Sequence, residues 1–376
     1  MRSGTIRAWA FVHKWTSLVS TVFLLMLCIT GLPLIFHDEI DAALNPDTWR
    51  PAHPEGRRLP LDDILAAALS ARPGDVPIYM SFDIDRPVVN VTTGPRADAP
   101  VPDMHFASFD ATSGALVPPA DRGETVMEFI LRLHTDMFLG LPGMLFLGLM
   151  GAFLVAAIVS GAVLYAPFMR RLDFGTVRTG KSARIKWLDM HNLLGIATTG
   201  WFVLVGLTGV INTLEAPIID AWRETALADL IDGLGAGTPP VATASLDASV
   251  DSARRAAGDM ELQFVAFPGS DFSTGQHYAI FFHGRTPATE RIITPVLVSV
   301  TDGTSSGLRD MPWFVQALSL SRPLHFGDYG GLPLKLIWAV LDIMAIVILV
   351  TGLYLWIGKQ SPDFIREKRA GALERA

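Results

Sequence analysis

Cysteine is almost absent from this chain of 376 residues; the single one, Cys28, lies inside an apolar run. One thiol excludes an intrachain disulfide framework, a CxxC redox motif and any multi-cysteine metal site. Charge is scarce too. Charged residues make up 18% of the chain, where a soluble domain carries about 25%. Nucleotide-binding signatures are missing: no GxGxxG follows a strand pattern, and "GDYGGLP" at Gly327 lacks the context of a dinucleotide fold. No flavin or NADPH domain is therefore expected, and no feature suggests nucleic acid as a partner.

What is abundant is apolar. Hydrophobic residues are 50% of the chain and mean hydropathy is +0.37. Four segments are long and apolar enough to cross a bilayer: Trp15 to Phe36, Leu141 to Phe168, Leu193 to Leu214 and Leu332 to Ile357. A helix of 22 residues is roughly 33 Å long, sufficient for one crossing. The basic start "MRSGTIRAWAFVHKW" leads into an apolar run too long for a signal peptide, so a retained first helix is expected. Arg2, Arg7 and Lys14 precede the first span. Arg170, Arg171, Arg178, Lys181, Arg184 and Lys186 lie between the second and third, and Lys359, Arg366, Lys368, Arg369 and Arg375 follow the fourth. Acids open the other two connections. The positive-inside rule then puts both termini and the middle loop in the cytoplasm. The expected order is: N-terminus and helix 1–36, outer segment 37–140, helix 141–168, basic loop 169–190, helix 191–214, outer segment 215–331, helix 332–357, tail 358–376. The basic residues of the middle loop fit anionic lipid as well as topology.

The chain repeats itself. His13 is followed by Thr30-Gly31 at the same offsets as His191 by Thr208-Gly209, and His134 by Ser160-Gly161 as His325 by Thr351-Gly352. The unit is histidine, helix, outer segment, histidine, helix, and both copies enter the membrane in the same direction. They form parallel repeats about an axis along the membrane normal. His13 and His191 stand at the cytoplasmic level, and His134 and His325 at the outer level. Glycines including Gly31, Gly161, Gly209 and Gly352 permit close approach of helices or leave room for a flat cofactor.

Two imidazoles facing each other at one depth suit the two axial positions of a haem iron, whereas zinc normally takes four ligands. Asp136, Asp328 and Asp189 are the nearby acids that a zinc-type site would need. With no CxxCH motif, haem would be held non-covalently. The expectation is two b-type haems, one between His13 and His191 and one between His134 and His325, their ligand levels about 30 Å apart. His37 is a spare ligand of lower rank. Phe146, Phe153, Trp201, Phe202 and Trp338 lie within the spans, where packing accounts for them and a place between the cofactors is the alternative. Asp342 is the main charged residue inside a span; its near-isolation argues mildly against a metal permease, which needs polar groups near mid-membrane.

Each outer segment reads as a small α+β domain. In the first, "LPLDDILAAALS" is a helix, and "VPIYMSFD", "PVVNVTTG" and "MHFASFDATSGALV" are strands. In the second, "VDSARRAAG" is a helix and "ELQFVAFPG", "HYAIFFHG" and "ITPVLVSVTDGTSSG" are strands. His277 and His283 are six apart, so a straight strand puts both on one face. They are weak candidates for a docking surface for a ferric chelate, and Tyr79, Phe82, Phe272 and Phe281 are aromatic residues that core packing explains as well.

"HKWTSLVSTVFLLMLCITGLPLIFHDEID" from His13, the two "LH" stretches and "TGLYLW" at Thr351 resemble the PepSY-associated transmembrane family across nearly the whole chain. The resemblance implies an α-helical membrane protein: a four-helix bundle of two parallel repeats with two small α+β PepSY-like domains outside the cytoplasm, in a bacterial inner membrane. It also implies b-type haems on His13, His134, His191 and His325, and electron transfer to a ferric chelate, usually a ferric siderophore, with release of Fe(II). The donor would be a quinol or a cytoplasmic reductase. A non-enzymatic binding or assembly component and a metal permease remain the alternatives at this point.

Overall fold

The computed structural model describes residues 3–44, 56–83, 86–118, 125–169, 173–222, 225, 243–286, 289–309 and 311–358. In chain order the first half contains α1 (Ser3–Leu34), α2 (His37–Leu44), α3 (Leu61–Ala71), β1 (Val76–Phe82), β2 (Val88–Gly94), β3 (His105–Asp110), β4 (Leu116–Val117), α4 (Val126–Thr135) and α5 (Leu141–Met169). The second half contains α6 (Ala183–Ala197), α7 (Thr199–Thr213), α8 (Glu215–Trp222), α9 (Leu246–Ala257), β5 (Glu261–Ala266), β6 (His277–His283), β7 (Ile293–Ser299), β8 (Ser305–Leu308), α10 (Trp313–Phe326) and α11 (Gly331–Gly358). They form two compact units, one within Met1–Ala43, Glu124–Glu215 and Ser321–Ala376, the other within Leu44–Gly123 and Ala216–Leu320.

The first unit carries the apolar helices. Gly4–Leu34, Leu141–Pro167 and Asp328–Gly358 are each long and apolar enough to cross a membrane. The third expected span is not one straight helix. It is α6 followed by α7, bent by 65° at Thr198, and the pair passes the same test only together. The cause is local. The hydroxyls of Thr198 and Thr199 bond back to Leu194 O and Gly195 O, each at 2.8 Å, and such back-bonding beside glycine bends helices. The basic residues Arg2, Arg170, Arg171, Lys359, Arg366, Lys368, Arg369 and Arg375 lie outside the described residues.

The second unit corrects the expectation of two separate small domains. The strands join into one antiparallel eight-stranded sheet in the order β4-β3-β2-β1-β5-β6-β7-β8. Each half of the chain supplies four strands, and a four-stranded half would leave β1 or β5 as an unpaired edge. The two edges satisfy each other: Met80 pairs with Val265, flanked by Tyr79–Ala266 and Ser81–Phe264. This register is isologous: the Tyr79–Ala266 pair is mirrored by Ser81–Phe264 about Met80–Val265, as a twofold axis requires.

The helices repeat that symmetry. Asp247 accepts from the amides of Leu61 and Asp62 at the start of α3, both at 3.0 Å. Asp62 returns the arrangement at the start of α9, accepting from Leu246 N at 2.9 Å and Ser245 Oγ at 2.5 Å. Each carboxylate caps the other helix and complements its dipole. Beneath both helices one face of the sheet buries Ile64, Met80, Leu246, Val250, Val265 and Ile280. The opposite face is aromatic, with Phe264 stacked on Phe281 at 4.1 Å between ring centres.

Candidate functional site

His134 and His325 stand on short helices of their own, near the C-terminal ends of α4 and α10, and not on the spans that follow. Thr125 caps α4 by accepting from Glu128 N at 3.1 Å, a capping-box spacing in the sequence. The chain then reverses sharply. Met137 and Phe138 take positive φ values of 52° and 61°, and a side chain at Gly143 would lie 1.9 Å from Asp136 O. After His325 the equivalent reversal uses Gly327, φ 81°, where a Cβ would meet the Trp338 ring at 2.8 Å. Trp338 Nε1 donates to His325 O at 3.2 Å. These turns explain the recurring Leu-Pro downstream of each histidine: the helix must restart in the reversed direction.

All four histidines meet the same constellation on a neighbouring helix. His13 Nδ1 lies 2.8 Å from Ala157 O and 3.4 Å from Ser160 Oγ. His191 Nδ1 lies 3.1 Å from Ile348 O and 3.2 Å from Thr351 Oγ1. His325 Nδ1 lies 3.1 Å from Val205 O and 3.2 Å from Thr208 Oγ1. His134 Nδ1 lies 2.9 Å from Thr30 Oγ1, and the ring is hydrogen-bonded to the Leu27 backbone. In every case the backbone partner is at position i, the hydroxyl at i+3 and a glycine at i+4. A Cβ on Gly161, Gly352, Gly209 or Gly31 would stand 3.1, 3.4, 3.1 or 3.3 Å from the Cε1 of the respective imidazole. The glycine admits the ring, and the carbonyl accepts the Nδ1 proton. That fixes the tautomer and leaves Nε2 with its lone pair as the available ligand atom.

The imidazoles come in pairs. The rings of His134 and His325 are 6.4 Å apart between centres. Two metal–nitrogen bonds of about 2 Å each, with the half-widths of two rings, span roughly 6 Å, which the separation of the ring centres matches. His191 and His13 are electrostatic neighbours at the other level. On α1 alone, His13 and the Thr30 that touches His134 are separated by about 25 Å of helix. No group of three or more His, Cys, Asp or Glu able to hold a metal ion occurs among the described residues. Asp189 is held by Arg178 at 2.8 and 2.9 Å, and Asp136 accepts from Phe138 N at 2.8 Å. Two imidazoles with no further protein ligand among the described residues fall short of the four ligands zinc normally takes, and would serve a metal that brings its other ligands with it.

Other sequence candidates do not join this constellation. His37 bonds its own turn, with Nδ1 3.1 Å from Leu34 O and Nε2 3.0 Å from Asp38. His277 and His283 lie on β6, which is buried on both faces. His277 Nδ1 is 2.7 Å from Thr274 Oγ1 and His283 Nδ1 is 2.9 Å from Gly284 O. Burial pushes the His277 imidazole below its ordinary value, the charge of Asp302 acting the other way. The strand geometry does align the two, but it turns them into the interior, so they form no docking surface. The backbone groups of Leu27, Ala157, Val205 and Ile348 were invisible as site groups in the sequence; the Ser/Thr-Gly pair one turn later is their readable sign.

Residues 10–359 match the family model described as the PepSY-associated TM region. The chain belongs to this family. It is also similar to an uncharacterized protein of Pseudomonas aeruginosa, 26% identical over 267 residues, which cover 63% of this chain and 65% of that one. The match thus spans a little under two thirds of that relative's length. Family membership and the apolar helices together make this a multi-pass membrane protein.

Proposed function

We propose that this PepSY-associated protein holds two b-type haems and carries electrons across the bacterial inner membrane to a ferric chelate, a ferric siderophore in class, on the periplasmic side. One site is His13 with His191, the other His134 with His325, and both termini are cytoplasmic. The donor is a quinol or a cytoplasmic reductase, and the product is Fe(II). Haem iron supplies the one-electron chemistry when bound. The observation that carries the reading is the fourfold recurrence of one constellation: an imidazole bonded to a helix backbone, a hydroxyl beside Nδ1, a glycine under the ring.

Each residue type has a task. The carbonyl orients the ring and raises the basicity of Nε2, as a hydrogen-bonded partner does for metal-bound histidine generally. The paired imidazoles would hold the haem iron from the protein side, His13 with His191 and His134 with His325, and leave it to exchange electrons. The surrounding apolar side chains, among them Leu24, Leu154, Phe202 and Ile348, keep water from the path between levels. Phe202 and Trp201 pack together at 5.4 Å between ring centres. A pyridine haemochrome assay on purified variants tests the assignment. His191→Ala and His325→Ala should each lose half of the haem, and from different spectral components. Full haem content in either variant would overturn it.

A further inference from the structure

Among the described residues of the membrane unit, three charged-type side chains are buried: Asp189, Lys335 and Asp342. Two are matched. Asp189 is clasped by Arg178, and Lys335 Nζ reaches Glu39 at 3.1 Å and Asp38 at 3.4 Å. Asp342 is not. It is 6% exposed, its Oδ2 is buried with no hydrogen-bond partner, and the one side chain bonded to the carboxyl group is the Cys28 thiol of α1. Cys28 packs beside the apolar cluster of Leu24, Leu154, Phe202 and Ala345.

Its position matters as much as its isolation. Cys28 follows Leu27, whose backbone is bonded to His134. Asp342 precedes Ile348, whose carbonyl holds His191, by about 9 Å of helix. Cys28 therefore lies at the level of His134, between Leu27 and the Thr30 that touches it, and Asp342 carries the pair toward the His191 contact on α11. The offset that relates His134 to His325 relates Gly151 to Asp342, so the other repeat does without an acid here and the fold does not demand one.

We propose that Asp342 is a proton-binding group within the membrane, taking up a proton when the chain is reduced and releasing it on reoxidation. The inference rests on the electron-transfer reading above. A carboxylate in apolar surroundings is costly and a carboxylic acid is not. An electron arriving at either level adds negative charge in a low dielectric, and a proton on Oδ2 cancels it. A quinol donor balances the step, since its oxidation to the quinone yields two electrons and two protons, one proton for each electron passed on. Of the titratable groups on packed elements, Cys28 is bonded to Asp342, while Lys335 is engaged by Glu39 and Asp38 and Asp189 by Arg178.

Redox-difference infrared spectroscopy on the full-length haem-loaded protein, with dithionite as reductant, tests this. Reduction should raise a carboxylic C=O band that shifts in D2O and is absent from Asp342→Asn. Cys28→Ala, which leaves the carboxyl without its thiol partner, should keep the band but move its frequency. Proton uptake, followed with a pH dye in weak buffer, should fall in Asp342→Asn. A visible redox transition with no such band in wild-type protein, or a band unmoved by both substitutions, would overturn the proposal. Absence of any visible redox transition would instead sink the electron-transfer reading on which it stands.

Discussion

Gly209 offers a perturbation whose size follows from the geometry. A Cβ at this position lies 3.1 Å from Cε1 and 3.6 Å from Nδ1 of His325. Carbon atoms pack best at about 3.5–4.0 Å, so Gly209→Ala drives the ring back by roughly half an ångström. The Nδ1 contact to Val205 O, now 3.1 Å, then stretches to the limit of a hydrogen bond. Losing such an orienting partner costs about 10- to 100-fold in metal affinity. Gly209→Leu fills the ring's space outright and should empty the outer site while the inner one persists. Helix formation works in the opposite direction: alanine is favoured over glycine by about 1 kcal/mol in a helix interior, so loss of cofactor from Gly209→Ala would not reflect a weaker helix. The assay is haem content per chain with a reduced-minus-oxidised spectrum for each variant. If Gly209→Leu retains both spectral components in wild-type proportion, the idea that glycine admits the ligand ring is wrong.

Three further outcomes are expected. Thr208→Val removes the hydroxyl 3.2 Å from His325 Nδ1 but spares the Val205 carbonyl, so its haem loss should be smaller than that of Gly209→Ala; a larger loss would reverse the assigned roles of hydroxyl and carbonyl. Met80, fully buried at the β1–β5 junction, should cost about 2–5 kcal/mol on Met80→Ala, measured as lost thermal stability of the sheet unit with haem content unchanged. Burial raises the Asp62 carboxyl, but the Ser245 hydroxyl and the Leu246 and Asp247 amides together hold it below its usual range. A depressed folded-state value gives stability that is present above the unfolded value of about 3.9 and is lost as pH falls through the folded value. The sheet unit should therefore weaken in acid below about pH 4. Asp62→Ala should lower its melting temperature near neutrality, by about 1 kcal/mol of capping energy, and flatten that acid limb.

The strands were legible because period-two runs of Val, Ile, Thr and Phe lie between turn residues. "VPIYMSFD", "PVVNVTTG" and "HYAIFFHG" fall on β1, β2 and β6. Their union into one sheet was not legible, because a pairing between Met80 and Val265 is set by a twofold relation that no local pattern announces. The apolar spans were readable from length, but the bend at Thr198 depends on hydroxyl back-bonding, which hydropathy does not register. The short helices α4 and α10 were missed because each is brief and runs close to an apolar span. At the site, the histidines and the Ser/Thr-Gly pairs could be listed from their offsets. From the sequence, Thr30-Gly31 and Thr208-Gly209 belong to the level of His134 and His325, and Ser160-Gly161 and Thr351-Gly352 to that of His13 and His191; which histidine of a level each pair touches depends on helix neighbours, α1 receiving His134 and α5 receiving His13.

The central claim is most directly tested by electron delivery across a sealed membrane. Purified protein in proteoliposomes, reduced from the cytoplasmic face, would be given a ferric siderophore and a ferrous trap on the other face. The account predicts reoxidation of the protein's haem with stoichiometric Fe(II) in the trap, and no Fe(II) from His134→Ala or His325→Ala protein even when the inner site still becomes reduced. Wild-type protein whose haem stays reduced with every ferric chelate, yet is reoxidised by another acceptor, would contradict the assignment of iron as substrate. Wild-type protein with no haem at all would contradict the account as a whole.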